Sequence, residues 1–325
     1  MTLFLDERSV AGLVDIDDAL HAVEAAFRAA GEGSAVNVPR VRAPLPSGTL
    51  RITAAVLPSL GYYGVKVSSS AVFGSQAGRV FHLYQIDTGE LCAVLQVFGL
   101  GALRTGAASG VATKYLATED AATLSVIGTG RQARTQVAAV CRVRPIKEIR
   151  VFSRSVENRD RFCTELAAEG STATAVASAE EAVRDSRVVI TATTATEPVV
   201  LGTWLAPGTH VNAVGANYEH RRELDSEVTA RSAVIVTDDR DQARYEATDL
   251  TAPVAEGLLT WDRVRGLDEI VAGTAPGRAS AEDITLFKSL GVALGDVALA
   301  ARAYEKALRA GAGRPLPHLS GRGPV

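Results

Sequence analysis

Apolar positions change their period along this chain. In roughly the first hundred residues they tend to alternate, as on half-buried strands; beyond Ala122 they come in short unbroken runs separated by helical stretches. Leu3 to Asp6 reads as a strand, and Asp15 to Ala30 as a helix with Ile16, Leu20, Val23 and Phe27 on one face. Gly31 and Gly33 end that helix. Val38-Pro39-Arg40-Val41-Arg42 leads to a Pro/Gly turn at Pro44 to Gly48. Arg51 to Leu57 and Tyr62 to Ser68 then read as strands. Arg79 to Ile86 and Leu91 to Phe98 form a hairpin that turns at Asp87-Thr88-Gly89. This part predicts antiparallel sheet with one helix. Leu103 to Leu116 predicts a helix whose small residues, from Gly106 to Ala112, let another backbone approach closely.

From Ala122 the pattern is βαβ. Strands are expected at Leu124–Ile127, Glu148–Phe152, near Ala173–Val176, at Val188–Ala192, His210–Val214 and Ala233–Val236. Helices are expected at Arg134–Arg142, Val156–Glu169, Ala179–Asp185 and Gln242–Leu258, with Trp261 to Val271 as a connection. Such alternation implies a doubly wound parallel sheet with right-handed crossovers. Ile284 to Gly291 leads into an alanine-rich helix reaching about Ala310. The Gly- and Pro-rich tail from Gly311 to Val325 is expected to be poorly ordered.

The first βα junction carries chemistry. The run Thr123-Leu124-Ser125-Val126-Ile127 ends in Gly128-Thr129-Gly130-Arg131-Gln132-Ala133. Gly128 suits a tight turn, Gly130 lets backbone N–H groups approach a pyrophosphate, and Ala133 permits close helix–strand packing. The helix N-terminus adds partial positive charge. A dinucleotide site is therefore expected at Gly128, Thr129, Gly130, Arg131 and Gln132. The second strand ends in Phe152-Ser153-Arg154-Ser155, with Arg159 a turn further on. An acidic residue there would bind the ribose hydroxyls of NAD. Ser153, Arg154 and Arg159 suit a 2′-phosphate instead, so NADPH/NADP is the expected cofactor, with NAD as the other candidate.

Composition narrows the rest. With 325 residues, 47% hydrophobic and 22% charged, the chain reads as two ordinary globular domains. A net charge of -3 without a basic block argues against nucleic acid. No run of eighteen apolar residues and no signal peptide is visible, so no membrane partner is expected. Cys92, Cys141 and Cys163 are widely spaced, which suits a reducing cytoplasm. Scattered histidines show no metal-ligand spacing, so no metal is expected. Three cations stand at predicted element ends or inside an apolar strand: Arg40, Lys66 and Arg104 at a helix start. Converging, they would make a carboxylate clamp. Val72, Phe73, Phe81, His82 and Tyr84 are expected to shape the pocket around it.

Several segments together resemble the ornithine cyclodeaminase/mu-crystallin family: Val38-Pro39-Arg40, Gly64-Val65-Lys66, Leu103-Arg104-Thr105-Gly106-Ala107-Ala108-Ser109, the glycine turn, Asn212-Ala213-Val214-Gly215 and Ile284-Thr285-Leu286-Phe287-Lys288-Ser289. The resemblance runs from about residue 3 to 305. It implies a Rossmann domain, residues 119–289, inserted into an antiparallel-sheet substrate and dimerisation domain, residues 1–118 plus 290–325. It implies substrate-carboxylate binding by Arg40, Lys66 and Arg104, and further cofactor contacts at Thr105, Thr193, Val214 and Ser289. It also implies a homodimer and a small imino or amino acid as substrate.

One departure matters. Cyclodeaminases of this family place an acid/base Asp after the Ala-Val-Gly strand, and here Asn217 takes that place. An Asn side chain does not exchange a proton at neutral pH; Glu219 and His220 lie close by in sequence. Lys66, and a water held by Asn217, are the candidate proton sources. Three readings follow: an NADP(H)-dependent reductase of a cyclic ketimine or of the imine of a 2-oxo acid, a cyclodeaminase with catalytic NAD, and a non-catalytic NADPH-dependent binding protein. The Asn and the non-acidic Ser153-Arg154 turn favour the first.

Overall fold

The computed structural model describes residues 2–46, 48–71 and 79–317. The chain forms two compact units, Met1–Arg104 with Gly291–Val325, and Thr105–Leu290.

The first unit begins with β1 (Leu3–Leu5), α1 (Glu7–Leu13), α2 (Ile16–Gly31), β2 (Val36–Leu45), β3 (Gly48–Leu57), β4 (Tyr62–Ala71), β5 (Val80–Gln85) and β6 (Leu91–Gln96). Helix α1 was not expected from the sequence; Asp6 caps it by accepting from the Ser9 N–H at 2.9 Å. Helix α2 starts at a capping box, in which Asp15 and Asp18 each accept the other's backbone N–H. Its buried stripe is Ala19, Val23, Ala26 and Phe27, so Ile16 and Leu20 sit at its margin. Helix α3 (Phe98–Leu116) starts a full turn before the expected Leu103 and runs through the boundary between the units. Arg104 therefore lies in its second turn and not at its start.

The second unit continues α3 with β7 (Thr123–Ile127), α4 (Arg131–Val143), β8 (Glu148–Phe152), α5 (Val156–Ala168), β9 (Ala173–Ala175), α6 (Ala179–Val183), β10 (Val188–Thr191), β11 (His210–Ala213), α7 (Ser226–Arg231), β12 (Ser232–Thr237), α8 (Arg240–Glu246), α9 (Thr248–Ala255), β13 (Val264–Gly266), α10 (Leu267–Ala272) and β14 (Ile284–Lys288). These strands form a parallel sheet in the order β13-β12-β14-β11-β10-β7-β8-β9. Its two core clusters are built on the aliphatic runs, including Leu124, Val126, Ile149 and Ile190 in one and Val189, Val211, Ile235 and Leu286 in the other. The helix expected at Gln242–Leu258 is two helices, because the backbone at Ala247 leaves the helical region. The stretch read as a connection, Trp261 to Val271, contains β13 and α10. The small residues of α3 have their reason here: a Cβ on Gly106 would lie 2.4 Å from the Thr135 carbonyl oxygen of α4.

The chain then returns to the first unit with α11 (Ala293–Ala310) and β15 (Arg314–Pro315). The sheet there is ordered β15-β1-β6-β5-β4-β3-β2, antiparallel except for the β1–β6 pair. Strand β15 lies in the tail expected to be disordered; residues 318–325 of that tail lie outside the described residues. Helix α11 packs on β3, β4 and α2, and its small buried face of Ala298, Ala300, Ala301 and Ala303 allows the close approach.

Candidate active site

Register decides what the α11-facing side of the first sheet presents. Directly paired residues share a face. Lys66 on β4 pairs with Thr53 on β3 and with Phe81 on β5. Strand β2 is irregular between Val38 and Val41, so that Pro39 and Arg40 together oppose Thr53. This bulge changes the alternation of β2 and turns Arg40 toward the Thr53–Lys66 side. Pro39, which has no N–H to give the ladder, suits the irregular position. Gly64 is required by the same packing: a Cβ there would lie 2.4 Å from the Phe81 ring.

The three predicted cations converge in this unit. Lys66 Nζ is paired with Asp296 Oδ2, and Arg104 Nε donates to Asp296 Oδ1 at 3.0 Å. Arg40 Nη2 donates to the Gly291 carbonyl at 2.6 Å. Asp296 is fully buried in the first turn of α11, where the helix dipole favours a carboxylate. Burial raises its pKa, but the charges and hydrogen bonds of Arg104 and Lys66 outweigh that and hold it below the ordinary value. Burial pulls Lys66 down to about 8; Asp296 opposes the fall, while Arg104 and Arg40 add to it. The set thus carries three cations and one fixed anion. It is suited to one carboxylate delivered from solution.

Asp296 was not among the expected site residues. Its signal was present in Gly291-Val292-Ala293-Leu294-Gly295-Asp296, a lone acid in an otherwise apolar helix start. Both glycines serve Arg104. A Cβ on Gly291, whose φ is 79, would lie 2.7 Å from Arg104 Nη1, and one on Gly295 3.3 Å from its Cδ. The pocket residues divide. Phe81 shares the Lys66 face, whereas His82 pairs with Val65 and Tyr84 with Tyr63, which places both on the opposite face. One residue of register thus decides a question the sequence left open, and takes His82 and Tyr84 off the clamp face. Val72 and Phe73 lie outside the described residues.

In the second unit the strand order reverses between β7 and β10, the switch point at which open parallel sheets bind ligands. The β7 end carries the glycine turn. Gly128 has φ 102, and a Cβ there would lie 2.6 Å from the Ala192 carbonyl. Gly130 is the N-cap of α4, no side chain caps that end, and nothing lies within 4 Å of where its Cβ would be. Gln132 Oε1 is buried there without a hydrogen-bond partner. An open glycine and uncapped helix N–H groups fit a dinucleotide pyrophosphate; the Gln132 oxygen, an acceptor, suits a hydroxyl or amide donor and not the phosphate. Thr129 and Arg131 belong to the same turn. Ser153 and exposed Arg154 follow the end of β8.

The other expected cofactor residues also have contacts within the protein. Arg159 bonds the Val176 carbonyl and lies over the Phe152 ring, and is therefore turned toward its own sheet. Ser289 donates to Asp238 at 3.2 Å, and the Thr105 carbonyl accepts from Gln136 at 3.1 Å. The Val214 N–H binds the Thr191 carbonyl at 2.9 Å, and its side chain is buried. Thr193 gives its N–H and its hydroxyl to Glu223 Oε1, at 2.6 and 2.8 Å. Sequence reading missed Glu223. Its other oxygen accepts from Thr191 Oγ1 at 2.9 Å and the Gly215 N–H at 2.6 Å, so one buried carboxylate ties the loops after β10 and β11. Burial pushes its pKa up, although Lys288 pulls the other way. Lys288 Nζ lies 2.9 Å from Asp249 Oδ2, outside hydrogen-bond geometry, and Asp249 Oδ1 accepts the N–H groups of Glu223 and Leu224. Asn217 is half-buried in the loop after β11; Glu219 and His220 beside it are exposed.

Among the described residues, no group of three His, Cys, Asp or Glu could hold a metal ion, and no helix is long and apolar enough to cross a membrane.

The sequence model of the ornithine cyclodeaminase/mu-crystallin family matches residues 1–311. A Delta(1)-pyrroline-2-carboxylate reductase of Bacillus cereus is 36% identical over 287 residues, 85% of this chain and 88% of that protein. The structure of Thermococcus litoralis Delta(1)-pyrroline-2-carboxylate reductase in complex with NADH and L-proline superposes with a TM-score of 0.92 at 36% identity, over 97% of this chain and 100% of that one. An archaeal alanine dehydrogenase dimer with bound NAD gives 0.92 at 35% identity, over 97% and 99%.

Proposed function

The chain belongs to the ornithine cyclodeaminase/mu-crystallin family, and from that premise we propose that it is an NADP(H)-dependent reductase of a 2-imino acid, yielding an L-amino acid. The carrying observation is the Asp296-centred clamp. Arg40, Lys66 and Arg104 bind the substrate carboxylate, and this fixes the adjacent C=N group beside Lys66. A bound nicotinamide supplies the hydride. The imine nitrogen gains a proton as its carbon gains the hydride, and the Lys66 ammonium is the donor. With a pKa near 8, Lys66 is protonated at neutral pH yet acidic enough to give the proton up. Asn217 in place of an acid/base Asp disfavours cyclodeamination, since its amide can hold a water but not exchange a proton. Ser153 and Arg154 support NADPH over NADH.

We further infer a homodimer. The sheet face opposite the clamp carries Val36, Val38, Val41, Ile52, Val65 and Val67, with Val36 58% and Val41 55% exposed. Such a continuous apolar strip calls for a cover, and the alanine dehydrogenase it resembles is a dimer. Unpaired thiols at Cys92, Cys141 and Cys163 fit a reducing cytoplasm.

The test is an NADPH-oxidation screen over pyrroline-2-carboxylate, piperideine-2-carboxylate, and 2-oxo acids with ammonia or methylamine. Stoichiometric oxidation with one of them supports the reductase. Ammonia release from ornithine without net cofactor turnover would identify a cyclodeaminase instead.

A further inference from the structure

Glu223 is fully buried in the second unit, and its two oxygens accept from five donors. Oε1 takes the N–H and the hydroxyl of Thr193, at 2.6 and 2.8 Å. Oε2 takes Thr191 Oγ1 at 2.9 Å and the N–H groups of Gly215 and Ala216 at 2.6 and 3.3 Å. An ionised carboxylate has about four lone-pair sites. Glu223 is therefore saturated, with nothing left for a ligand. Its own backbone is fixed in turn, since Asp249 Oδ1 accepts its N–H at 2.8 Å. Burying a charge is costly, and apolar side chains would join two loops without it. What an apolar side chain cannot do is turn three peptide N–H groups toward one point. In a planar trans peptide the carbonyl points opposite to the N–H. The carbonyls of Val214 and Gly215 therefore face away from Glu223. The loops it joins are in contact, for a Cβ on Gly215 would meet the Thr193 carbonyl, and one on Gly128 the Ala192 carbonyl. Strand β8 lies on one side of β7 and β10 on the other. A dinucleotide crosses the switch point. With its pyrophosphate at the turn after β7 and its adenosine ribose at Ser153 and Arg154 after β8, its other half extends toward β10 and β11.

We propose that Glu223 is a positioning residue for the nicotinamide riboside half of the cofactor: it sets the loops after β10 and β11 so that the carbonyls it turns away, those of Val214 and Gly215, meet the carboxamide NH2 and the ribose hydroxyls. Those ligand groups are donors, and carbonyls are the acceptors they need. The Val214 N–H is bound to the Thr191 carbonyl and its side chain is buried, so the carbonyl is the group it has to offer. Asn217 follows directly on Ala216, so the same carboxylate sets where the loop that carries it begins. This inference rests on the dinucleotide reading of the site, and it assigns a role to a residue that does not itself touch the cofactor.

The test is calorimetric titration of the full-length protein with NADPH and with adenosine 2′,5′-bisphosphate, which keeps the adenine half and lacks the nicotinamide. If the chain binds NADH and not NADPH, NADH and ADP form the pair. Glu223→Gln keeps the volume, but its NH2 must face a backbone N–H. Its Kd for the dinucleotide is expected to rise at least about tenfold, while that for the adenine half stays within about twofold. An equal change for both ligands would make Glu223 a structural residue of the whole unit, and no change in either would leave the loops independent of it; each overturns the proposal. If Glu223→Gln does not fold, Thr191→Val, which deletes one donor at equal volume, is titrated in its place. A rise of about threefold for the dinucleotide alone is then expected, and an equal or absent change again overturns the proposal. An unmodified chain that binds neither dinucleotide removes the dinucleotide reading and this proposal with it. Binding without reduction of any imine removes the reductase reading alone, and the titration still decides the role of Glu223.

Discussion

Arg104 Nε donates a 3.0 Å hydrogen bond to Asp296 Oδ1, joining α3 to the first turn of α11 across 192 residues of sequence. The same carboxylate holds Lys66 with its other oxygen. Two of the clamp's three cations are thus aligned by one buried anion, and the third, Arg40, is aligned by a carbonyl just before the same helix. The start of α11 organises the site.

Asp296→Asn should therefore change the pH profile. Lys66 must be protonated to act as an acid, so kcat/KM for an imine substrate should be level below about pH 8 and fall above it. Asp296 raises the Lys66 pKa. Its loss lets burial, Arg104 and Arg40 pull that pKa lower, and the falling limb should move to more acidic pH. Steady-state kinetics from pH 6 to about pH 9.5 would show it; a limb that stays in place would mean that Lys66 is not the group titrating.

Lys66→Met and Arg104→Lys should differ in kind. Lys66→Met fills similar space without a charge and should lower kcat by at least about 100-fold, as expected for loss of a general acid, with little change in cofactor affinity. Arg104→Lys keeps the charge but loses the planar fork, and should act mainly on KM. Retention of near-normal kcat by Lys66→Met would move the proton donor elsewhere, with a water at Asn217 first to be examined.

Arg154→Ala should weaken NADPH binding about tenfold and leave NADH nearly unchanged, because the partner proposed for this exposed guanidinium after β8 is the 2′-phosphate, which NADH lacks. Fluorescence titration with both cofactors is sufficient. Equal loss for the two would remove this role.

Val41→Glu should break the homodimer. Val41 lies with Ile52 and Val67 across three strands of the apolar face, and a charge buried there against a second copy has no partner. Sedimentation should show a dimer for the unmodified chain and a monomer for the variant at micromolar concentration. A monomeric unmodified chain would leave the valine strip without this explanation.

Much of the outline was legible in one dimension because it depends on local rules. Apolar runs marked the parallel strands from Leu124 to Val236, and Gly128-Thr129-Gly130 marked the tight turn after β7, since Gly128 at φ 102 adopts a backbone conformation that favours glycine. Helix starts were harder. Asp6 caps α1 through a hydrogen bond that no apolar period announces, and α3 begins at Phe98 although its helical pattern was evident only from Leu103. The break at Ala247 likewise accompanies a long-range demand, for Asp249 just after it accepts two N–H groups from residues 223 and 224.

The site divides in the same way. The residue types at Arg40, Lys66 and Arg104 are plain in the sequence, as is the missing carboxylate after Phe152. Which way each points was decided by tertiary structure. A strand's alternation says that neighbours face opposite sides but not which side is buried, and a single bulge at Pro39–Arg40 reverses the answer for the rest of β2. That bulge puts Arg40 and Arg42 on the clamp face and leaves Val41 outside, and register places Phe81 inward but His82 and Tyr84 outward. Asp296 and Glu223 acquire their roles only from partners far away in sequence, brought close by folding. A lone acid in an apolar helix signals a buried charge; only the folded chain names the cations that answer it.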